Sequence, residues 1–147
     1  MEMSDTPFLL PDLDDDSTGF WEGCAAGELR VQKCNACGHH QFPPRQMCPV
    51  CRSFDLGWEV MSGKGTIWSF VIPHPPLLPG YSELAPYNVI VVTLDEDPTL
   101  RMVGNLVAGE GESLNSLDPH TIEIGEPVRV VWDAVTDEVT LPRWVRA

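Results

Sequence analysis

Two Cys-x-x-Cys pairs constrain this chain more than any other feature. Cys34-Asn-Ala-Cys37 and Cys48-Pro-Val-Cys51 are separated by only ten residues. Each pair can hold two thiolates on one side of a tight turn, and two such turns complete the tetrahedral shell that zinc prefers. Four thiolates fill every coordination position, as in a structural rather than a catalytic site. We therefore predict a ribbon folded by structural zinc, although the same ligands also suit iron, as in a rubredoxin-like electron carrier.

The charge of the chain limits its partners. The 147 residues carry a net charge of −13, which repels polyanions and argues against general nucleic-acid binding. Residues 24–65 are the exception, because five bases there outnumber three acids. These five bases are the candidates for contact with an anionic ligand: Arg30, Lys33, Arg45, Arg52 and Lys64.

The N-terminal part predicts an arm and one short helix. Residues 1–16 contain two prolines and three successive aspartates, which is typical of a flexible acidic arm. Its few apolar side chains would either dock on a partner or cover the core. A helix is expected to begin with Ser17 or Thr18 as its cap and to end at Gly27. One face of this helix would carry Phe20, Trp21 and Cys24.

The rest of the chain predicts β structure. Alternating apolar residues at 29–33 and 56–60 flank the cysteine pairs, so residues 17–62 form a helix and a zinc ribbon. Residues 63–147 contain five strand-like segments with Gly and Pro between them, which favours a five-stranded OB-type barrel. The strand at 66–72 would place Trp68, Phe70 and Ile72 on one face. Residues 141–147 look like either a disordered tail or an anchor.

No arrangement of residues in the sequence predicts catalysis. A nucleophile elbow is absent, and Gly63-Lys-Gly65 is too short for a phosphate loop and precedes a strand. His74 and His120 lie in loops, where either could be a general base only if the chain were an enzyme by itself. The N-terminus lacks the features of an export signal, and no apolar run has the length of a membrane span. A cytoplasmic location, where thiols stay reduced, is expected.

Several stretches together resemble one known family. They are FWE at 20–22, FPPR at 42–45 between the cysteine pairs, GKGTI at 63–67, PYNVIVVTLDE at 86–96, RMVGNL at 101–106 and IGEPV at 124–128. The chain is similar in these to an acyl-CoA-associated family, formerly a domain of unknown function, which joins an N-terminal helix and a rubredoxin-like zinc ribbon to an OB-fold. Members of that family associate with thiolase-like proteins, including lipid-transfer-type aldolases of steroid side-chain degradation.

The resemblance implies a non-catalytic accessory subunit. The chain would bind a thiolase-like enzyme, in a complex with two copies of each subunit, and would help to form the acyl-CoA site at their interface. The helix, through Phe20 and Trp21, and the ribbon would dock on the partner, while the five bases would lie near the coenzyme A phosphates. Two alternatives stay open: an acyl-CoA enzyme that acts alone, and a single-strand nucleic-acid module that stacks bases on Trp68, Phe70, Tyr87 and Trp132.

Overall fold

The computed structural model describes residues 8–147, so the first seven residues of the predicted arm lie outside the described part of the chain. The only α-helix in that part, α1, spans Thr18–Ala26, and the ribbon strands are β1 (Leu29–Cys34), β2 (His40–Gln41) and β3 (Leu56–Met61). They form an antiparallel sheet in the order β2-β1-β3. The predicted helix-and-ribbon layout is confirmed.

The C-terminal part is a five-stranded antiparallel sheet. Its strands are β4 (Lys64–Val71), β5 (Val89–Leu94), β6 (Asp97–Gly104), β7 (Pro127–Ala134) and β8 (Thr140–Arg146). They pair in the order β6-β5-β4-β7-β8. The two edges then meet, because Val107 N–H donates to the Trp144 carbonyl at 2.8 Å and Trp144 N–H donates to the Asn105 carbonyl at 3.0 Å. This closure makes the sheet a barrel, as the sequence predicted.

A buried asparagine fixes the closing segment. The Asn88 side chain is fully buried, donates to the Leu106 carbonyl at 2.8 Å and accepts from Leu106 N–H at 2.7 Å. It thereby satisfies both backbone groups of a residue that lies just beyond the end of β6. Because buried polar groups are costly when unpaired, this pair of bonds holds the chain beyond β6 in the position where it meets β8.

The start of α1 differs from the predicted cap. Ser17 stands at the cap position, one residue before Thr18, but its side chain accepts no hydrogen bond from a backbone N–H of the helix. Instead both hydroxyls donate to Asp14, and the Ser17 hydroxyl also accepts from the Trp21 indole N–H at 3.1 Å. The predicted end is confirmed, since Gly27 adopts the left-handed conformation at φ 75° and its N–H donates to Cys24.

Two further expectations for the barrel are wrong. Residues 141–147 are neither a tail nor an anchor, because they form most of the edge strand β8, where Trp144 is 1% exposed. Trp68 does not share the face of Phe70, because a bulge between Ile67 and Ser69 shifts the register of β4. Phe70 packs against the core, whereas Trp68 is about half exposed and lies under the Arg101 guanidinium at 4.0 Å.

One hydrophobic cluster joins the helix, the ribbon and the barrel. Phe20 and Cys24 from α1, Leu29 and Val31 from β1, and Met61 from β3 pack in the same core as barrel residues, which include Ile67, Ile90, Val92, Leu94 and Trp144. The ribbon therefore shares its apolar face with the barrel. The domain boundaries at residues 16 and 62 remain predictions. No helix in residues 8–147 is both long and apolar enough to span a membrane.

Trp144 closes the barrel, and its removal tests that role. Trp144→Ala should lower the free energy of unfolding by about 3–5 kcal/mol, because it leaves a large cavity in the shared core. Trp68→Ala is the matched control, since that ring is about half exposed, and it should cost about 1 kcal/mol or less. Denaturant unfolding measures both. Equal losses in the two variants would contradict the assignment of Trp144 to the core.

Candidate metal centre and docking surfaces

The four cysteine sulfurs converge on one point. The Sγ atoms of Cys34, Cys37, Cys48 and Cys51 all lie within 4.8 Å of one another. Cys34 and Cys51 are 3.5 Å apart, and Cys37 and Cys48 are 3.6 Å apart. Zinc–sulfur bonds of about 2.3 Å in a tetrahedron require sulfur separations of roughly 3.8 Å. The sulfur positions therefore fit a tetrahedral tetrathiolate ion, and no coordination position is left for a substrate.

Each Cys-x-x-Cys turn closes on the residue that follows it. Gly38 N–H donates to the Cys34 carbonyl at 2.8 Å, and Arg52 N–H donates to the Cys48 carbonyl at 2.9 Å. Both residues adopt left-handed backbone conformations, with φ of 80° at Gly38 and 64° at Arg52. Glycine does this without strain, whereas arginine does not. The second turn thus carries a backbone cost that the first one avoids.

Backbone N–H groups favour thiolates in both turns. Hydrogen bonding from Cys37 N–H lowers the pKa of Cys34, and hydrogen bonding from Cys51 N–H lowers the pKa of Cys48 to about 7. Burial and hydrogen bonds with the neighbouring thiols raise the pKa of Cys37 to about 12 and also raise that of Cys51. The fifth cysteine is not part of this cluster, and burial raises the pKa of Cys24 to about 12. Cys24 is therefore an inert apolar residue of the core, as the sequence predicted. Of the two histidines beside the first turn, His40 bonds Glu59 through Nε2.

The structure divides the five candidate bases into two groups. Arg30 forms an ion pair with Glu28 at 2.8 Å, and Lys33 lies 3.8 Å from Glu59. Arg45, Arg52 and Lys64 are exposed and form no ion pair within residues 8–147. A role for any of the five near coenzyme A remains a prediction. Glu28 is two residues from Arg30, whereas the pair of Lys33 and Glu59 was hidden from the sequence because it joins two strands, β1 and β3.

The two aromatic docking candidates have unequal exposure. Phe20 is 5% exposed and packs against Trp21 at 4.8 Å and Phe42 at 5.4 Å between ring centroids. Trp21 is half-buried and lines a cavity of about 550 Å³ between α1, the loop at 42–44 and the barrel. The docking role of both stays a prediction, but Trp21 is the more accessible ring.

The ribbon has an exposed apolar surface that was not predicted from the sequence. Met47 is 39% exposed, Val50 is 64% exposed and Phe54 is 76% exposed. We call these three residues the ribbon patch. All lie in or beside the second Cys-x-x-Cys turn, where a chain folded around a metal has no core to cover them. The sequence could have predicted this surface from the apolar residues beside a Cys-x-x-Cys turn. Exposed apolar patches of this kind mark interaction sites.

The residues considered for the two alternative functions are scattered. His120 is exposed and bonds Asp118 at 3.1 Å, and His74 is exposed in another loop. Neither lines the cavity beside Trp21. Among the aromatic residues proposed for base stacking, Tyr87 is 7% exposed, and Trp68 is covered on one face by Arg101. Phe70 and Trp132 are half-buried against the shared core, so Trp68 is the one exposed ring among these four.

Comparison with known proteins identifies the family. A family model described as "ChsH2, rubredoxin-like zinc ribbon domain" matches residues 21–57, and "ChsH2, C-terminal OB-fold domain" matches residues 58–133. The chain belongs to the ChsH2 family. The resemblance, the fold class and the structural zinc site expected from the sequence are thereby confirmed.

A solved structure of the ChsH2 family matches nearly the whole chain. It is a chain of "Ltp2-ChsH2(DUF35) aldolase", 33% identical with a TM-score of 0.79, and the match covers 93% of this chain and 98% of that one. A "DUF35 domain-containing scaffold protein" of Methanothermobacter thermautotrophicus is 36% identical over 111 residues, which are 75% of each chain.

Two other ChsH2-type relatives are longer proteins. The "3-oxo-4,17-pregnadiene-20-carboxyl-CoA hydratase alpha subunit" of Mycobacterium tuberculosis is 32% identical over 92% of this chain. A "Probable enoyl-CoA hydratase alpha subunit" of Thermomonospora curvata is 34% identical over 90% of it. The chain spans only 38% of the length of each hydratase subunit.

Loss of one ligand tests the metal centre. In Cys34→Ser, bound zinc should fall from about one ion per chain to near zero after dialysis against a chelator, and the ribbon should unfold with it. Cys24→Ala removes a thiol that is not a ligand and should keep the zinc. Metal analysis by mass spectrometry reads both variants. Full zinc in Cys34→Ser would overturn the four-thiolate site.

The strained residue of the second turn gives a separate test. Arg52→Gly should be more stable than Arg52→Ala by about 1 kcal/mol, because only glycine relieves the left-handed conformation. Both variants lose the same arginine side chain, so the comparison isolates the backbone. Thermal unfolding of the zinc-bound variants measures the difference, and equal stabilities would show that the turn is not strained.

Proposed function

We propose that the chain is a non-catalytic accessory subunit that binds a thiolase-like acyl-CoA enzyme and helps to form its acyl-CoA site. The observation that carries this proposal is the match, over nearly all of both chains, to the ChsH2 chain of an aldolase named for two components. Relatives named as hydratase subunits and scaffold proteins add support.

The chemistry of the chain fits an accessory role. Its four thiolates occupy the whole coordination shell of the metal, so the ion cannot polarise a thioester. His74 and His120 are exposed and do not line the cavity, and the Asp118 partner of His120 is itself exposed. The carbon–carbon bond chemistry is therefore assigned to the partner subunit. The names of the relatives favour an acyl-CoA with a steroid-derived acyl group.

The electrostatics favour a shared coenzyme A site. A zinc ion with four thiolates carries a net formal charge of about −2, which cancels much of the positive charge of the ribbon. Arg30 and Lys33 are already opposed by Glu28 and Glu59. Arg45, Arg52 and Lys64 then remain as contributors to phosphate binding. The partner must supply most of the contacts to the phosphates.

The ribbon patch is the proposed docking surface, with Trp21 as a second contact. Interfaces of this kind place exposed apolar side chains at their centre and lose water there on assembly. The zinc site holds the backbone beside Val50 and Phe54, so the patch would be rigid before the partner arrives. We further propose two copies of each subunit, because a thiolase-like partner is itself a dimer. A cytoplasmic complex fits the four thiols that the metal requires.

Reconstitution with a defined partner tests the function. The zinc-loaded chain would be co-expressed with a thiolase-like protein encoded beside it, and cleavage of an acyl-CoA substrate would be measured for each subunit and for the complex. Turnover should require the partner and rise on addition of this chain, which should have none alone. Turnover by this chain without a partner would refute the proposal.

The docking surface has its own test. Phe54→Ser should weaken assembly at least about tenfold, since a buried aromatic anchor typically contributes 2 kcal/mol or more to binding. Ile124→Ser is the control, because Ile124 is 66% exposed on the barrel and lies outside the ribbon patch. Analytical ultracentrifugation of the mixed subunits gives the affinities and the stoichiometry. Equal weakening by both substitutions would remove the ribbon patch as the docking surface.

A further inference from the structure

The cavity beside Trp21 has the size and the lining of a small-molecule site. Its volume of about 550 Å³ lies within the range of ligand sites in proteins, about 300–1,000 Å³. Its walls come from three parts of the fold, namely α1, the loop at 42–44 and the barrel. They are mainly aromatic and apolar, and include Trp21, Phe42, Tyr81, Tyr87, Val103 and Pro142.

A buried arginine also lines this cavity. The Arg143 side chain is 9% exposed. Its Nε donates to Asp133 at 3.3 Å and its Nη1 donates to the Asn105 side-chain oxygen at 2.9 Å. Within residues 8–147, the buried Nη2 group has no hydrogen-bond partner. Unpaired buried donors are rare because each costs free energy, so we expect this N–H group to bond an acceptor from outside residues 8–147.

The charge beside Arg143 restricts what that acceptor is. Asp133 already opposes the guanidinium charge from one side. Asp12, a second carboxyl-bearing residue, is among the residues that line the cavity. A carboxylate ligand would therefore meet a charge that is already balanced and would also lose its own hydration. A neutral oxygen would accept the N–H without that loss.

We propose that this cavity binds an apolar, ring-sized small molecule through one neutral carbonyl oxygen, which accepts a hydrogen bond from Arg143 Nη2. The aromatic and proline side chains of the walls bury the apolar body of the ligand. The site belongs to this chain alone and is lined by none of the ribbon patch residues. Trp21 is shared with the proposed docking surface, so binding is measured on the chain without a partner.

Matched probes test the chemistry directly on the zinc-loaded full chain. Three naphthalenes of similar size would be titrated and followed by the fluorescence of the bound ring: the methyl ketone 2-acetonaphthalene, the isosteric hydrocarbon 2-isopropenylnaphthalene, and 2-naphthoate. The ketone should bind at least about tenfold more tightly than the hydrocarbon, because a hydrogen bond to a charged donor is among the stronger ones. It should also bind more tightly than the carboxylate.

Variants locate the binding site. Val103 is 70% exposed and lines the cavity, so Val103→Trp should narrow the entrance and weaken both the ketone and the hydrocarbon at least about tenfold. Val71→Trp is the matched control: this valine is 59% exposed in the same sheet and does not line the cavity. Arg143→Lys keeps a positive charge opposite Asp133 and should reduce the preference for the ketone to less than about threefold.

Each outcome of these measurements either supports or overturns the proposal. Equal affinity for ketone and hydrocarbon in the unmodified chain would overturn the role of Arg143, and so would tighter binding of the carboxylate. Equal effects of Val103→Trp and Val71→Trp would place the probes elsewhere. If Arg143→Lys does not fold, the ratio of affinities in the unmodified chain and the two valine variants still decide the proposal.

Discussion

Four thiolates within 4.8 Å of one another repel strongly unless a cation lies among them. The bonds from that cation to all four sulfurs are the strongest constraint on the ribbon. The ion fixes the turn at the C-terminal end of β1 and the turn that precedes β3. These strands in turn carry Leu29, Val31 and Met61 into the core that the barrel and α1 share. The metal therefore acts on the barrel through this shared packing. Its loss would leave one side of that core without its cover.

The features that the sequence predicted correctly depend on residues close together in the chain. The zinc site follows from spacing within eighteen residues, and the end of α1 follows from one glycine. The closure of the barrel was hidden because it depends on Asn88 meeting Leu106 and on Trp144 meeting Asn105, contacts between distant parts of the chain. Residues 141–147 consequently looked like a tail. The bulge in β4 was hidden for a similar reason, since one shifted residue reverses which side chain faces the core.

The candidate surfaces show the same limit. The number of charges predicts the basic segment but does not show that Glu28 and Glu59 form ion pairs with two of its five bases. Counting aromatic residues found Phe20 and Trp21 but not their unequal burial. The ribbon patch was not predicted because its three residues are ordinary apolar residues that form no sequence motif. Only their position on a metal turn, where no core is within reach, makes their exposure meaningful.

The ion pair of Arg143 and Asp133 costs free energy, because both charged groups lose water when the strands form. A buried ion pair loses much of its attraction to desolvation, and apolar residues of similar volume often stabilise a fold as well or better. Barrel closure is already served by the bonds of Asn88 and by the Trp144 backbone. Arg143 adds one further bond to the closure, from its Nη1 to Asn105, while its unpaired Nη2 adds a cost. Both the charge and the open donor have a physical reason if the cavity that Arg143 lines receives a ligand with a carbonyl oxygen.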